Sequence, residues 1–424
     1  MTAAFFVLLM AMGVPIVFVL GISALFFCLL EGGGNLIIFA QRMFVGVNKS
    51  VLICIPFFIL AGNLMNTGGI TRRLVDFAMC VVGWIRGGLA MVSVVTGMIF
   101  AGITGSGAAD AAAIGSVLIP AMKSEKYDED FTCALITAVG VIGPIIPPSI
   151  TFVIFAVVGE VSIGAMFLGG IVPGVLIGIS LMILSYYYAR RRNYPRRITP
   201  PYAHILKTSI KALPAIMMPV LIVGSILYGI ATPTEASAAS VLYGLILGFF
   251  VYKELKLSQL PKIIADTAIL TAGIMIIIGT SVIFAWVLTY ADIPQKVSAY
   301  MLSISKNPLV FLFFLNILLL FLGTWMDPTP SIIVFVPMLM PTAIALGIHP
   351  IHFGLVFSVN VIIGMATPPV GYILYTVVAM TGIKIEKLSK ALFPFLLVEI
   401  LVLFLITYIP WIVLFLPKYF GYVH

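Results

Sequence analysis

Charge is scarce in this 424-residue chain. Asp, Glu, Lys and Arg supply 9% of it, where soluble domains carry roughly 25%, and 62% of its residues are hydrophobic. A water-soluble globular domain is thereby excluded. Basic residues are missing altogether from 87–122, 131–189, 212–252, 263–295 and 307–383, so the net charge of +8 sits in short connections and builds no groove for nucleic acid. Cysteine is sparse as well. Cys28, Cys54, Cys80 and Cys133 stand alone among apolar neighbours, which excludes metal-ligand spacing and leaves them as packing residues. HExxH, GxSxG, DDxxD and the P-loop pattern are all absent, and with them the motif support for an integral membrane enzyme. No Lys or Arg precedes the first apolar run, so the charged start of a cleaved leader is missing and the first span is expected to stay in the mature chain.

What the chain does have is long apolar runs. A crossing needs about 20 such residues, and the runs predict an all-α polytopic membrane protein with roughly a dozen full or partial spans. Single spans are expected over 2–30, followed by a turn at 31–35, and over 51–65, 164–189, 213–230, 236–252, 263–290 and 392–416. The segment holding Arg72, Arg73, Asp76 and Arg86 is amphipathic and reads as interfacial. Gly170, Gly174 and Gly178 recur at four-residue intervals and suit close helix packing.

Two stretches break this pattern. In the first, Gly105, Ser106 and Gly107 interrupt an apolar run whose arms are each too short to cross, predicting a re-entrant hairpin over about 88–122. A span over 131–158 follows, broken at Gly143, Pro144, Pro147, Pro148 and Ser149. The pattern returns 221 residues later, where Gly102, Pro120, Gly143, Pro147, Pro148 and Pro173 become Gly323, Pro341, Gly364, Pro368, Pro369 and Pro394. A second hairpin is therefore expected over about 308–345, its tip at 325–329, with a second broken span over 353–380. Broken helices in corresponding halves point to the binding site of a transporter.

Positive charge orients the halves. Arg190, Arg191, Arg192, Arg196, Arg197, Lys207 and Lys211 lie in the central connection without an acid, which places it in the cytoplasm. Counting spans in both directions, the first hairpin enters from the cytoplasm and the second from outside. The expected domains are thus two inverted repeats, 1–211 and 212–424, with scaffold and transport parts drawn from both.

If the halves pack face to face, four sets of half-helix ends meet at mid-membrane. Helix amino ends attract anions, whereas unwound carbonyls suit hard cations. Without Lys or Arg nearby, an anion there must rely on N–H groups, hydroxyls and co-bound cations, and oxygen-rich surroundings suit Na⁺. Candidate Na⁺ residues are Gly105, Ser106, Gly143, Pro144, Gly323, Asp327, Gly364 and Thr367. Candidate substrate residues are Gly107, Asp110, Ser149, Thr329, Pro147, Pro148, Pro368 and Pro369. Gly and Pro at these places also serve simply to bend helices. Asp110 has the alternative of capping the hairpin's second arm, and both Asp110 and Asp327 would act as relays if protons were coupled instead. Glu235 reads as a helix-start acid, and His349 and His352 as loop residues.

The run from Gly105 to Ser116, the run from Ile142 to Ser149, and Gly229-Ile230-Ala231-Thr232-Pro233-Thr234-Glu235-Ala236 resemble the large membrane subunit of tripartite ATP-independent periplasmic (TRAP) transporters. The resemblance covers essentially the whole chain. It implies a multi-pass protein of the bacterial inner membrane, driven by a Na⁺ gradient and moving by an elevator mechanism. It also implies a periplasmic binding protein that delivers a carboxylate, and a small four-helix membrane subunit as partner. The sequence looks closer to the sialic-acid branch than to the C4-dicarboxylate branch.

Overall fold

Lipid offers the backbone no hydrogen-bond partner, and a chain that lives there satisfies its N–H and C=O groups within helices. The computed structural model describes residues 2–30, 36–197, 201–304 and 306–423, and the secondary structure of the described residues is entirely helical. In chain order the helices are α1 (Thr2–Ala11), α2 (Ile16–Leu30), α3 (Leu36–Val47), α4 (Cys54–Thr67), α5 (Ile70–Val82), α6 (Gly88–Thr104), α7 (Gly107–Ser124), α8 (Glu129–Ile142), α9 (Ile150–Val158) and α10 (Ile163–Arg191). The second half continues with α11 (Tyr202–Leu227), α12 (Pro233–Ile246), α13 (Leu260–Tyr290), α14 (Ile293–Ile304), α15 (Pro308–Gly323), α16 (Pro328–Ala345), α17 (Pro350–Gly364), α18 (Tyr372–Thr381), α19 (Ile385–Tyr408) and α20 (Trp411–Tyr419). Among the described residues, seven helical stretches are long and apolar enough to cross a membrane.

Several expected spans divide. The run over 2–30 is two helices, because Gly13 takes a φ of 74° and Pro15 removes a donor where α1 would continue into α2. Its expected turn at 31–35 lies outside the described residues. The run over 392–416 likewise splits at Ile409 and Pro410 into α19 and α20. Helices α3 and α14 fall between the expected spans and are additions to them. The basic central connection is partly helical, since Lys207 and Lys211 belong to α11. Glu235 does start a helix: its carboxylate accepts from the backbone N–H and the hydroxyl of Thr232 at 2.8 Å each, closing a capping box on α12. His349 caps α17 by accepting the Ile351 N–H at 3.2 Å. His352, in contrast to the loop expectation, is buried inside α17 with Nε2 3.0 Å from the Ile406 carbonyl.

Ion pairs gather the charged connections on one face. Arg192 reaches Asp128 at 2.8 Å and Asp130 at 3.4 Å, Arg197 pairs with Glu125, and Lys387 lies 3.6 Å from Glu129. Arg73 meets Glu254 at 2.6 Å. The Tyr194 hydroxyl, donating to Asp128 at 2.7 Å and joined by Arg192, holds that carboxyl below the usual range. At the opposite end Tyr422 packs over Gly164 and faces the last carbonyls of α11.

Within the apolar core, each hairpin packs its second arm on the far half of the other broken helix. Ile373 of α18 covers Gly107 of α7, and Met380 covers Gly115; reciprocally, Met340 of α16 covers Gly159 at the end of α9. Phe155 of α9 joins Phe353 and Phe357 of α17, with ring centroids 5.9–6.2 Å apart. A polar thread also crosses the core, in which Asn360 donates to Asn316 at 2.9 Å and Asn316 to Thr407 at 3.0 Å. Such bonds between membrane helices contribute about 0.6 kcal/mol each.

Glu399 stands apart from this thread. It is fully buried on α19, and neither carboxyl oxygen has a partner among the described residues. An unsatisfied buried polar group costs about 1–3 kcal/mol. Glu399→Met, similar in volume and apolar, is therefore expected to raise the thermal unfolding midpoint of the purified protein in detergent. A lowered midpoint would show that the carboxyl is partnered in the working protein.

Candidate functional site

The first hairpin turns within two residues. Helix α6 ends at Thr104, Gly105 adopts a φ of 61°, and Ser106 is extended at the start of α7. The left-handed conformation and the closeness of the Pro148 carbonyl, 2.8 Å from where a Cβ would sit, both require glycine at 105. Thr104 folds back over the turn: its hydroxyl donates to Asp110 and accepts the Ser106 N–H at 3.3 Å. Asp110 lies one turn inside α7 and does not cap it, contrary to the capping alternative. It is wholly buried, its second oxygen has no partner among the described residues, and a Cβ on Gly143 would collide with that oxygen.

The break facing this tip separates α8 from α9. Ser149 organises it, donating to the Pro144 carbonyl at 2.5 Å and accepting the Phe152 N–H at 3.3 Å. In the second half, Asp327 is the residue that caps, accepting the Thr329 N–H at 3.0 Å at the start of α16. The break between α17 and α18 is tied to this tip by the Gly371 N–H, 3.4 Å from the Thr324 carbonyl. Thr367 turns its hydroxyl back to the Ile363 carbonyl at 2.9 Å. Pro147-Pro148 and Pro368-Pro369 each contain a cis peptide bond.

One cavity of about 520 Å³ touches both tips and both breaks. Of the residues singled out by sequence, Gly105, Ser106, Gly107, Pro144, Gly323, Asp327 and Thr329 line it. Asp110, Gly143, Ser149, Pro147, Pro148, Gly364, Thr367, Pro368 and Pro369 do not; the first six of these are buried, whereas Pro369 is exposed. The remaining wall comes from Gly62, Asn63 and Asn66 of α4 and from 269–277 of α13, with Thr104, Thr151, Thr324, Trp325 and Tyr372 beside the tips and breaks. These residues escaped the sequence reading because it followed the Gly and Pro offset alone. Two asparagines one turn apart in the apolar run 51–65 were the available signal.

Among the described residues no Lys, Arg or His lines the cavity, and Asp327 is its one carboxylate. The amino ends of two 18-residue helices, α7 and α16, open on it. Aligned peptide dipoles place about half a positive charge at each such end. The arrangement can therefore hold an anion by N–H groups and hydroxyls, and a hard cation by carbonyls, hydroxyls and Asp327. Asn63 is held ready by its bond to Thr267 at 3.0 Å.

Gly323 and Gly364 touch backbone to backbone. A Cβ on Gly323 would lie 2.9 Å from the Gly364 Cα, and one on Gly364 would overlap Gly323. Gly364→Ala is thus expected to separate the second tip from its break and cut transport at least tenfold, while Gly347→Ala, which meets nothing but must carry its φ of 77°, costs only folding stability. Uptake normalised to folded protein checks the contrast.

The profile described as "Tripartite ATP-independent periplasmic transporter, DctM component" matches residues 3–412. The sialic acid TRAP transporter large permease protein SiaM of Vibrio cholerae is 39% identical over 411 residues, covering 97% of this chain and 96% of that protein. The C4-dicarboxylate TRAP transporter large permease protein DctM of Pseudomonas aeruginosa is also 39% identical, over 402 residues, covering 95% and 94%. Among solved structures, the YdaH transporter of Alcanivorax borkumensis superposes with a TM-score of 0.62 at 12% identity, covering 88% of this chain and 86% of that one, a likeness of fold.

Proposed function

The chain belongs to the DctM-component family of tripartite ATP-independent periplasmic transporters, and from that premise we propose that its central cavity carries an organic carboxylate together with Na⁺ across the bacterial inner membrane. It is a multi-pass transporter permease and not an enzyme. The family's tripartite make-up implies a small membrane subunit and a periplasmic binding protein as partners.

The observation that carries the proposal is the composition of the cavity wall. Two hairpin tips and two helix breaks supply it with oxygens and N–H groups, and among the described residues no basic side chain reaches it. A carboxylate entering such a space needs positive charge from elsewhere. A co-bound Na⁺ provides it, which makes binding of anion and cation mutually supporting and gives the thermodynamic basis of symport. Ser106 and Asp327, offset by 221 residues and each at the start of a hairpin's second arm, are assigned to equivalent Na⁺ sites.

The same reading takes 1–211 and 212–424 as inverted repeats. Movement follows an elevator, with the hairpins and broken helices sliding against a scaffold that includes α4 and α13. The relatives acting on sialic acid and on C4-dicarboxylates are equally similar to this chain, so the substrate is assigned only as an organic carboxylate.

Uptake of radiolabelled carboxylates into proteoliposomes, with binding protein and small subunit supplied, tests the function. Removing Na⁺ at fixed pH is expected to abolish uptake; uptake sustained by a pH gradient alone would overturn Na⁺ coupling. Ser106→Ala and Asp327→Asn are each expected to raise the half-activating Na⁺ concentration on the order of tenfold, the effect of losing a charge-assisted contact. Asparagine keeps the cap on α16, so fold and ion binding are separable. Unchanged Na⁺ activation in both variants would remove these residues from the ion sites.

A further inference from the structure

Away from the central cavity, the face bearing the arginine-rich connection contains a second hollow. About 630 Å³ in volume, it lies between the turn joining α5 to α6 and the end of α10. Arg86, Arg190 and Arg196 line it together with Trp84 and Tyr186, and among the described residues no acidic side chain does. On the same face Arg73, Arg192 and Arg197 are each paired with a carboxylate. The three arginines of the hollow are not. Arg86 donates only to the Asn193 amide oxygen at 2.8 Å, Arg196 only to the Trp84 carbonyl at 3.3 Å, and Arg190 has no hydrogen-bond or ion-pair partner among the described residues.

The walls are fastened to one another. The Gly87 N–H donates to the Pro195 carbonyl at 3.1 Å, and Gly87, with a φ of 74°, lies so close to Ala189 that a Cβ would collide with its side chain. Three guanidinium groups thus border one space without a counter-charge among the described residues, two of them fixed by hydrogen bonds and that of Arg190 unpaired. Like charges so arranged repel one another, and a multivalent anion relieves the repulsion.

A second feature says what kind of anion. Trp84 and Tyr186 are 38% and 41% exposed, as expected of aromatic side chains at the level of lipid headgroups. From Tyr186 an exposed apolar stripe, Tyr187, Ile183 and Ile179, runs along α10 away from the charged face. A ligand that fills the hollow and follows the stripe has a phosphate head and a hydrocarbon tail. We propose that this hollow binds an anionic phospholipid of the cytoplasmic leaflet, its phosphate held by Arg86, Arg190 and Arg196 and one acyl chain lying on the outer stripe of α10.

The test uses the full chain with its small subunit, delipidated in neutral detergent and titrated with phosphatidylglycerol, cardiolipin or phosphatidylcholine. Bound lipid is counted by native mass spectrometry, and stabilisation is followed by thermal unfolding. The two anionic lipids are expected to bind and stabilise, and phosphatidylcholine to do so far less. Changing all three arginines to Gln is expected to weaken anionic-lipid binding on the order of 100-fold, from roughly fivefold per surface cation. Changing all three to Lys should restore most of it.

Arg190→Gln alone, which breaks no hydrogen bond of the fold, is expected to cost roughly fivefold and covers the case in which the triple variant does not fold. A control triple, Arg191→Gln with Lys207→Gln and Lys211→Gln, removes equal charge elsewhere on the face and is expected to bind as the parent does. An equal loss in the control would reduce the effect to general surface charge and overturn the site. So would full binding in the Gln triple, or displacement of the lipid by millimolar inorganic phosphate or ATP, which would assign the hollow to a soluble anion.

Discussion

Everything in this molecule follows from the refusal of hydrocarbon to hydrogen-bond. A helix that stops inside a membrane exposes carbonyls or N–H groups at its end, each costing several kcal/mol if left bare. This chain stops helices at four places inside its apolar core and turns all four ends toward one space. The unsatisfied ends are then not defects; together with asparagine and hydroxyl side chains they are the polar lining of a cavity that holds a single charged side chain among the described residues. Glycine and proline are the means, since they interrupt a helix without adding a charge or a side chain that would need burying.

Charge is handled by segregation. Acids and bases of the connections pair on one face, the arginine excess gathers beside them, and the interior keeps only a few carboxyls. Asp110 has half a set of partners, from Thr104, while Asp327 spends one oxygen on an N–H of its own helix. The two acids lie four residues out of register with respect to the internal offset: position 110 corresponds to Ser331 and position 327 to Ser106. The two halves differ in where each puts its negative group, Asp110 within the second arm of its hairpin and Asp327 at the start of the other, and the surroundings of the cavity are chemically lopsided as a result.

The frame was legible in the residues because Gly and Pro act locally. Both hairpins and both breaks begin and end within a few residues of where Gly105, Gly143, Pro328 and Gly364 lead one to expect. The breaks at Pro15 and Pro410 were signalled by the same chemistry and passed over, since a proline inside an apolar run is also compatible with a kinked but continuous helix. Tertiary neighbours were the illegible part. Nothing in the run 51–65 says that Asn63 and Asn66 face the tips, and nothing near Asp110 says that it turns inward to Gly143, because those facts depend on which helices meet. Prolines at the breaks were legible as breakers, and one of them, Pro144, also lines the cavity that the break opens.

The reciprocal packing of α7 on α18 and of α16 on α9 has a mechanical side. Each hairpin is bolted by close-fitting side chains to a piece of the opposite half, so neither can swing away on its own without tearing Ile373 from Gly107 or Met340 from Gly159. Clasped as they are, the two hairpins and the far halves of the two broken helices make one packed body.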